Sequence, residues 1–142
     1  MNTEVMFSSN KEDWETPQWL FDKYNAMYGF TTDVCATKEN AKYANFYTPE
    51  MDGLNIAWEG RCWCNPPYGR TKTGKWVAKA VEEVLWGCPL VVMLLPARTD
   101  TKWFHEYVLP YGEIEFLKGR VRFVGAKDTA PFPSMIVVFR RK

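Results

Sequence analysis

The stretch RCWCNPPYG, residues 61–69, decides how the rest of the chain is read. Its first four residues alternate as a strand does, with Cys62 and Cys64 on one face. Pro66 and Pro67 then remove two backbone donors, so strand pairing stops there. The strand therefore delivers an amide at Asn65, a carbonyl at Pro66 and a phenol at Tyr68 to one stiff turn. In open α/β sheets, ligands gather in such places, beyond the carboxyl ends of the strands.

The flanking segments support that architecture. Residues 90–95 form a near-continuous apolar run, suited to the centre of a parallel sheet. Trp76, Val77, Ala80, Val81, Val84 and Leu85 keep helical spacing until Gly87. Upstream, Thr16-Pro17 reads as an N-cap with proline at the first helical position, followed by Leu20, Phe21, Tyr24, Met27 and Tyr28 until Gly29. Residues 30–36 read as a strand. Residues 37–60 suggest a short helix over 40–46, a short strand over 46–48 and a turn at Asp52-Gly53. The segment RTKTGK, residues 70–75, reads as a mobile polar loop. A further helix carries Trp103, Phe104, Tyr107 and Val108, and strands are expected over 113–117, 120–125 and 134–140. Strands alternating with helices predict a mostly parallel α/β sheet, and the all-strand ending predicts an antiparallel C-terminal edge. Residues 33–37, 65–68 and 96–99 all stand at strand ends and are expected to converge on one crevice.

Composition narrows the function classes. The 142 residues fit a single domain, 1–142, with residues 1–12 a candidate for a disordered N-terminal arm. With 46% apolar and 16% aromatic residues, the chain has what a packed core requires. Its longest apolar run is far too short to span a bilayer, and nothing resembles a signal peptide, so a cytoplasmic protein without a membrane partner is expected. Cys35, Cys62, Cys64 and Cys88 fit no common zinc spacing, and the only histidine, His105, is distant from all four. Reduced, structural cysteines are expected, and His105 beside Trp103 and Phe104 reads as structural. Residues 1–60 carry 4 Lys and Arg against 10 Asp and Glu, whereas residues 61–142 carry 14 against 7. The basic half is what a polyphosphate partner requires, although it is also what an idle solvated face would show.

The turn after Cys64 suits a particular chemistry. The lone pair of an exocyclic amine is delocalised into its ring, which makes the nitrogen planar and weakly nucleophilic. Acceptors aimed at its two hydrogens favour the geometry in which the lone pair meets a methyl donor. The side-chain oxygen of Asn65 and the carbonyl of Pro66, held by Pro67, are two such acceptors. Tyr68 can stack on the ring.

NPPY resembles the catalytic motif of amino-group methyltransferases that use S-adenosylmethionine. The resemblance extends over WETP (14–17), DVCA (33–36), DGL (52–54), CNPPYG (64–69), LPAR (95–98), GRVRF (119–123) and APFPS (130–134). Together these look like the small phage and prophage DNA adenine-N6 methyltransferases, over nearly the whole chain. The resemblance implies a Rossmann-like class I methyltransferase fold with helices on both faces of the sheet. It implies S-adenosylmethionine as cofactor and double-stranded DNA as partner, with direct in-line transfer to a base flipped from the stack, in the cytoplasm of a host cell. It places Thr16 and Pro17 against the methionine end of the cofactor and Asp33 against its amino-acid part. Cys35 and Ala36 allow close approach, Asp52 accepts from the amine of the cofactor's adenine, and Asn65 borders both ligands. Asn65, Pro66, Pro67 and Tyr68 hold the target adenine, while Arg70, Lys72, Lys75 and Arg98 are candidates for contact with DNA phosphates.

Two features depart from larger methyltransferases. Cys35-Ala36-Thr37 stands where a Gly-rich turn would follow the first strand, and no separate target-recognition domain fits within the chain. Specificity must then be loose, come from loops or depend on assembly. Each site residue also has an ordinary reading: a proline-rich turn for NPPY, a cap for Asp33, a turn residue for Asp52, a helix start for Thr16-Pro17. Arg98 and Arg120 fit either the crevice or a pairing with carboxylates. The rival functions are methylation of RNA adenine or of a protein glutamine, and a non-catalytic cofactor- or DNA-binding module of the same fold.

Overall fold

The computed structural model describes residues 13–36, 40–43 and 45–141. The candidate arm over 1–12, and Thr37, lie outside the described residues. Five strands form one sheet: β1 (Thr32–Asp33), β2 (Arg61–Cys64), β3 (Leu90–Pro96), β4 (Glu113–Phe116) and β5 (Ser134–Arg140), in the spatial order β1-β2-β3-β5-β4. β1, β2 and β3 run parallel, with Asp33 opposite Trp63 and Cys64 opposite Met93. β5 is antiparallel to both β3 and β4, which forms the antiparallel edge expected of the all-strand ending. β3 sits centrally with every residue buried, as its unbroken apolar run requires.

Each face of the sheet carries its own core. On one face, helix α2 (Lys72–Trp86) inserts Val77, Ala80, Val81 and Val84 against Cys62, Cys64, Val91, Met93 and Leu95. A π-helical stretch, Phe104–Val108, continued by the short helix α3 (Leu109–Tyr111), adds Phe104 and Val108 to that core. On the other face, helix α1 (Gln18–Tyr28) packs Leu20, Phe21 and Tyr24 with Trp63, Val92 and Leu94. Gly29 ends α1 at φ 64°, a left-handed conformation that glycine adopts without cost, and donates to Asn25. The Tyr24 hydroxyl ties α1 to β4 by donating to Glu115 (2.7 Å). All four cysteines carry free thiols, and Cys62, Cys64 and Cys88 are buried in the α2-side core.

Several local expectations are corrected. Thr16 makes no cap: Pro17 stands at the N-cap position, and α1 begins at Gln18. The strand expected over 30–36 is regular only at Thr32–Asp33, although Val34 and Ala36 continue donating to Trp63 and Tyr47. The described residues of 40–46 are turns and bends rather than helix, and Phe46 contributes a single parallel bridge to Asp33. Lys72 and Lys75 do not lie in a loop, because α2 starts a turn earlier than the apolar spacing indicates. Residues 120–125 form no strand; they belong to an irregular connection between β4 and β5.

Candidate functional site

The carboxyl ends of β1 and β2 open on a cavity of about 490 Å³. That volume falls within the ~300–1,000 Å³ usual for small-molecule sites. Asp33, Cys35 and Ala36 line it from the end of β1, Asn65, Pro66 and Pro67 from the end of β2, and Asp52 and Gly53 from the intervening turn. Thr16, Trp14, Lys42 and Trp76 complete much of the wall.

Asn65 is held in one orientation. Its Nδ2 donates to the carbonyl of Trp14 and to Oγ1 of Thr16 (2.9 Å). A backbone carbonyl can only accept, so the amide nitrogen must face it and the oxygen must face away. Asn65 Oδ1 is buried and has no hydrogen-bond partner among the described residues. Leaving a buried acceptor unpaired costs about 1–3 kcal/mol, and such atoms in native proteins call for a reason. A ligand N–H is a sufficient one. Thr16, buried at 3% exposure, thus accepts at its hydroxyl from the Asn65 amide rather than capping the helix.

Asp33 is buried as deeply. Its carboxylate accepts from the N–H of Cys35 (3.3 Å) and the N–H of Lys42 (3.0 Å), which folds the chain after β1 back over the cavity. Burial pushes its pKa up from 3.8 to about 6, against the lowering effect of those two N–H groups and the Lys42 charge. The Lys42 side chain is only 8% exposed, with Nζ 3.7 Å from the Glu15 carboxylate. One cavity thus holds a buried carboxylate and a largely buried ammonium. Burial, helped by Asp33, pushes the Cys35 thiol up to about 12, so it is a small neutral lining group.

The turn from 49 to 55 supplies the opposite wall. Asp52 is the only non-glycine with positive φ (54°) among the described residues, and its carboxylate accepts from Asn55 Nδ2. Aspartate tolerates this conformation better than most residues, but it remains an unusual one. Gly53 has no room for a side chain: a Cβ there would sit 2.9 Å from the Val34 carbonyl and 3.1 Å from the Trp76 ring. The Gly53 carbonyl accepts from Trp58 Nε1 (2.8 Å), which fixes the turn from behind.

A second cavity of about 660 Å³ adjoins the first, with Trp14 in the wall of both. It is lined by Tyr68, Arg70, Pro96, Arg98, Trp103 and Phe132, among others. The Tyr68 hydroxyl donates to the Leu94 carbonyl (2.9 Å), and burial holds its pKa well above the usual phenol value. Its ring meets Phe123 and Phe132 edge-on, at 6.2 and 5.7 Å between centroids. The Arg98 guanidinium lies 5.7 Å from the centre of the Phe132 ring.

Where a single crevice was expected, there are two cavities that share Trp14 in their walls. Thr16, Asp33, Cys35, Ala36, Asp52, Asn65, Pro66 and Pro67 meet in the first; Tyr68, Arg70 and Arg98 meet in the second. Pro17 lines neither and is the N-cap residue of α1. Lys72 and Lys75 are exposed on the first turn of α2, outside both cavities. Trp14 and Lys42 are wall residues that motif reading passes over. Trp14 stands in the WETP stretch, but its role rests on a backbone carbonyl, which no residue type announces. Lys42 carries no sequence signal at all.

Comparison with known proteins adds an independent finding. The family model of DNA N-6-adenine-methyltransferase (Dam) matches residues 4–142. A DNA N-6-adenine-methyltransferase of Haemophilus phage HP1 (strain HP1c1) is 35% identical over 143 residues, covering 94% of this chain and 82% of the phage protein. One of Escherichia phage T1 is 34% identical over 96 residues, covering 66% of this chain and 39% of that protein.

Proposed function

The chain belongs to the DNA N-6-adenine-methyltransferase family, and we propose that its two cavities divide that activity between cofactor and base. The reaction is methylation of the N6 amine of adenine in double-stranded DNA by a single Rossmann-like class I methyltransferase domain. The phage origin of the relatives suits action in the cytoplasm of a host cell. When bound, S-adenosylmethionine supplies an electrophilic methyl group for direct in-line transfer.

The residues of the first cavity fit that cofactor chemically. Its amino-acid end carries both an ammonium and a carboxylate, and the cavity presents Asp33 and Lys42. Its adenine carries an exocyclic amine, for which the exposed Asp52 is an acceptor held at a fixed angle by its backbone. Cys35 and Ala36 are small enough to let the ligand approach the end of β1, which makes up for the missing Gly-rich turn.

The target adenine leaves the base stack at a cost of a few kcal/mol and enters beside Tyr68. Asn65 Oδ1 accepts one hydrogen of the N6 amine, and the Pro66 carbonyl accepts the other. Both acceptors withdraw the hydrogens from the ring plane and so return density to the nitrogen lone pair. Trp14 and Thr16 keep the Asn65 amide from rotating, so no reorganisation is needed as charge develops. Tyr68, fixed by Leu94, limits how the ring can tilt. No general base is required, because the methylated amine is acidic and loses its proton to water after transfer. Arg70 and Arg98, on the wall of the second cavity, receive the phosphates that flank the flipped base.

The observation that carries this reading is the buried, unpaired Oδ1 of Asn65 on a locked amide. The test is incubation with methyl-labelled cofactor and separate pools of DNA, RNA and protein, followed by digestion to nucleosides and amino acids. Label in N6-methyladenine from DNA is expected. Label confined to RNA or to protein glutamine would replace this reading by one of its rivals. Absence of cofactor binding by the folded protein would leave only a non-catalytic module.

A further inference from the structure

The connection between β4 and β5, residues 117–133, has no part in the transfer just described. Ser134, which follows it, pairs with Pro96, so the connection lies at the same end of the sheet as Asn65 and Tyr68. Its side chains alternate: Val121, Phe123, Ala130 and Phe132 are buried, whereas Lys118, Arg120, Arg122 and Lys127 are exposed. The inward aromatics pack against Tyr68 and Trp14, with Trp14 meeting Phe123 at 5.3 Å and Phe132 at 5.1 Å. Backbone bonds pin the connection further: Ala130 donates to Val121 (2.8 Å) and Val124 donates to Glu15 (3.0 Å). It is thus clamped to the walls of both cavities, and Val124 borders one while Phe132 borders the other.

The outward face is basic and uncompensated. It bears four Lys and Arg against Asp128 alone. Among the described residues none of the four is within ion-pair distance of a carboxylate. A solvated face of mobile cations would show no further order. Here Arg120 Nη1 donates to the Ala130 carbonyl (3.4 Å), and Arg122 Nε donates to the Ala126 carbonyl (3.2 Å). Each guanidinium is tethered by its own loop and keeps donors for a second partner. A planar fork held this way suits bidentate contact with a base edge, where guanine offers O6 and N7.

We propose that residues 118–127 are the sequence-reading element of this enzyme. Arg120 and Arg122 contact base edges beside the target adenine, and Lys118 and Lys127 contact phosphates. The proposal rests on the DNA methyltransferase reading and supplies what that reading leaves open, a source of sequence specificity.

The test is methylation of a random-sequence duplex pool by the wild type and by Arg120→Lys, Arg122→Lys and Lys127→Ala, with mapping of each modified adenine and its flanks. Both Arg→Lys variants keep the charge, yet each is expected to lose preference at one or two flanking positions by roughly 10-fold or more. Lys127→Ala is expected to slow methylation at all sites alike and to reduce the salt dependence by about one phosphate contact. Unchanged flanking preference in both arginine variants would overturn the proposal, as would a wild type without any flanking preference. Cofactor titration of each variant separates these outcomes from misfolding, since the first cavity is untouched by the substitutions. A wild type that binds cofactor and methylates no DNA would instead remove the parent reading.

Discussion

Lowering the pH from 7 to 5 should weaken cofactor binding about tenfold through one side chain. Asp33 titrates near 6 because it is buried, and its carboxylate faces the cavity assigned to the cofactor. A group with that pKa is about 90% ionised at pH 7 and about 10% ionised at pH 5. If the ammonium of the ligand needs the ionised form, affinity tracks that fraction. Stability of the unliganded protein should move the other way. The folded state holds the Asp33 proton more tightly than the unfolded chain, whose carboxylate titrates near 3.8. This group therefore favours folding fully below 3.8 and loses that contribution as pH rises through about 6, a swing of roughly 3 kcal/mol at most. Calorimetric titration with S-adenosylmethionine at half-unit pH steps measures the first effect, and urea melts at the same steps measure the second. Asp33→Asn removes the titrating group, so both pH slopes should flatten relative to the wild type. A flat affinity profile in the wild type, or the same slope persisting in Asp33→Asn, would refute the assignment of Asp33 to the ligand's ammonium.

Other substitutions probe separate walls of the site. Asn65→Ala should lower single-turnover methyl transfer about 10²–10³-fold at saturating cofactor, by loss of one preorganised acceptor; a rate within twofold of wild type in the folded variant would remove its role. Tyr68→Phe deprives the Leu94 carbonyl of its hydroxyl donor and should cost about 1 kcal/mol in a urea melt while leaving cofactor affinity unchanged. Gly53→Ala forces a methyl against the Val34 carbonyl and the Trp76 ring and should destabilise the protein by about 1–3 kcal/mol. Unaltered stability there would mean that the turn yields more easily than its packing implies.

The central sheet was legible because its signals are local and redundant. β3 announces itself by an apolar run without interruption, and β2 by alternation stopped at two prolines. The start of α2 was not, because Gly74 and Thr73 look like loop residues. In the structure Gly74 lies under Trp103, where a Cβ would come within 3.2 Å, and Thr73 Oγ1 accepts from Gly69 (3.0 Å) while donating to Pro67 (3.3 Å). Tertiary contacts thus select residues that propensity disfavours. Residues 120–125 alternate as a strand would, but Val121 and Phe123 are anchored by packing in the aromatic-rich core, and among the described residues no strand pairs with them. Thr16 carries a cap signature that a partner 49 residues away claims instead. Asp33, Asp52, Asn65 and Pro66, which line the first cavity, stand in motifs that residue type makes visible; Lys42 and the Trp14 carbonyl do not, since their place at its wall arises only when distant backbone segments meet.

The most direct test of the account is a crystal structure with S-adenosylmethionine bound. The ligand's sulfonium is expected in the first cavity facing Asn65 and Pro66, with its ammonium toward Asp33 and its carboxylate toward Lys42. A sulfonium seated elsewhere, with protein standing between it and the Asn65 amide, would contradict it.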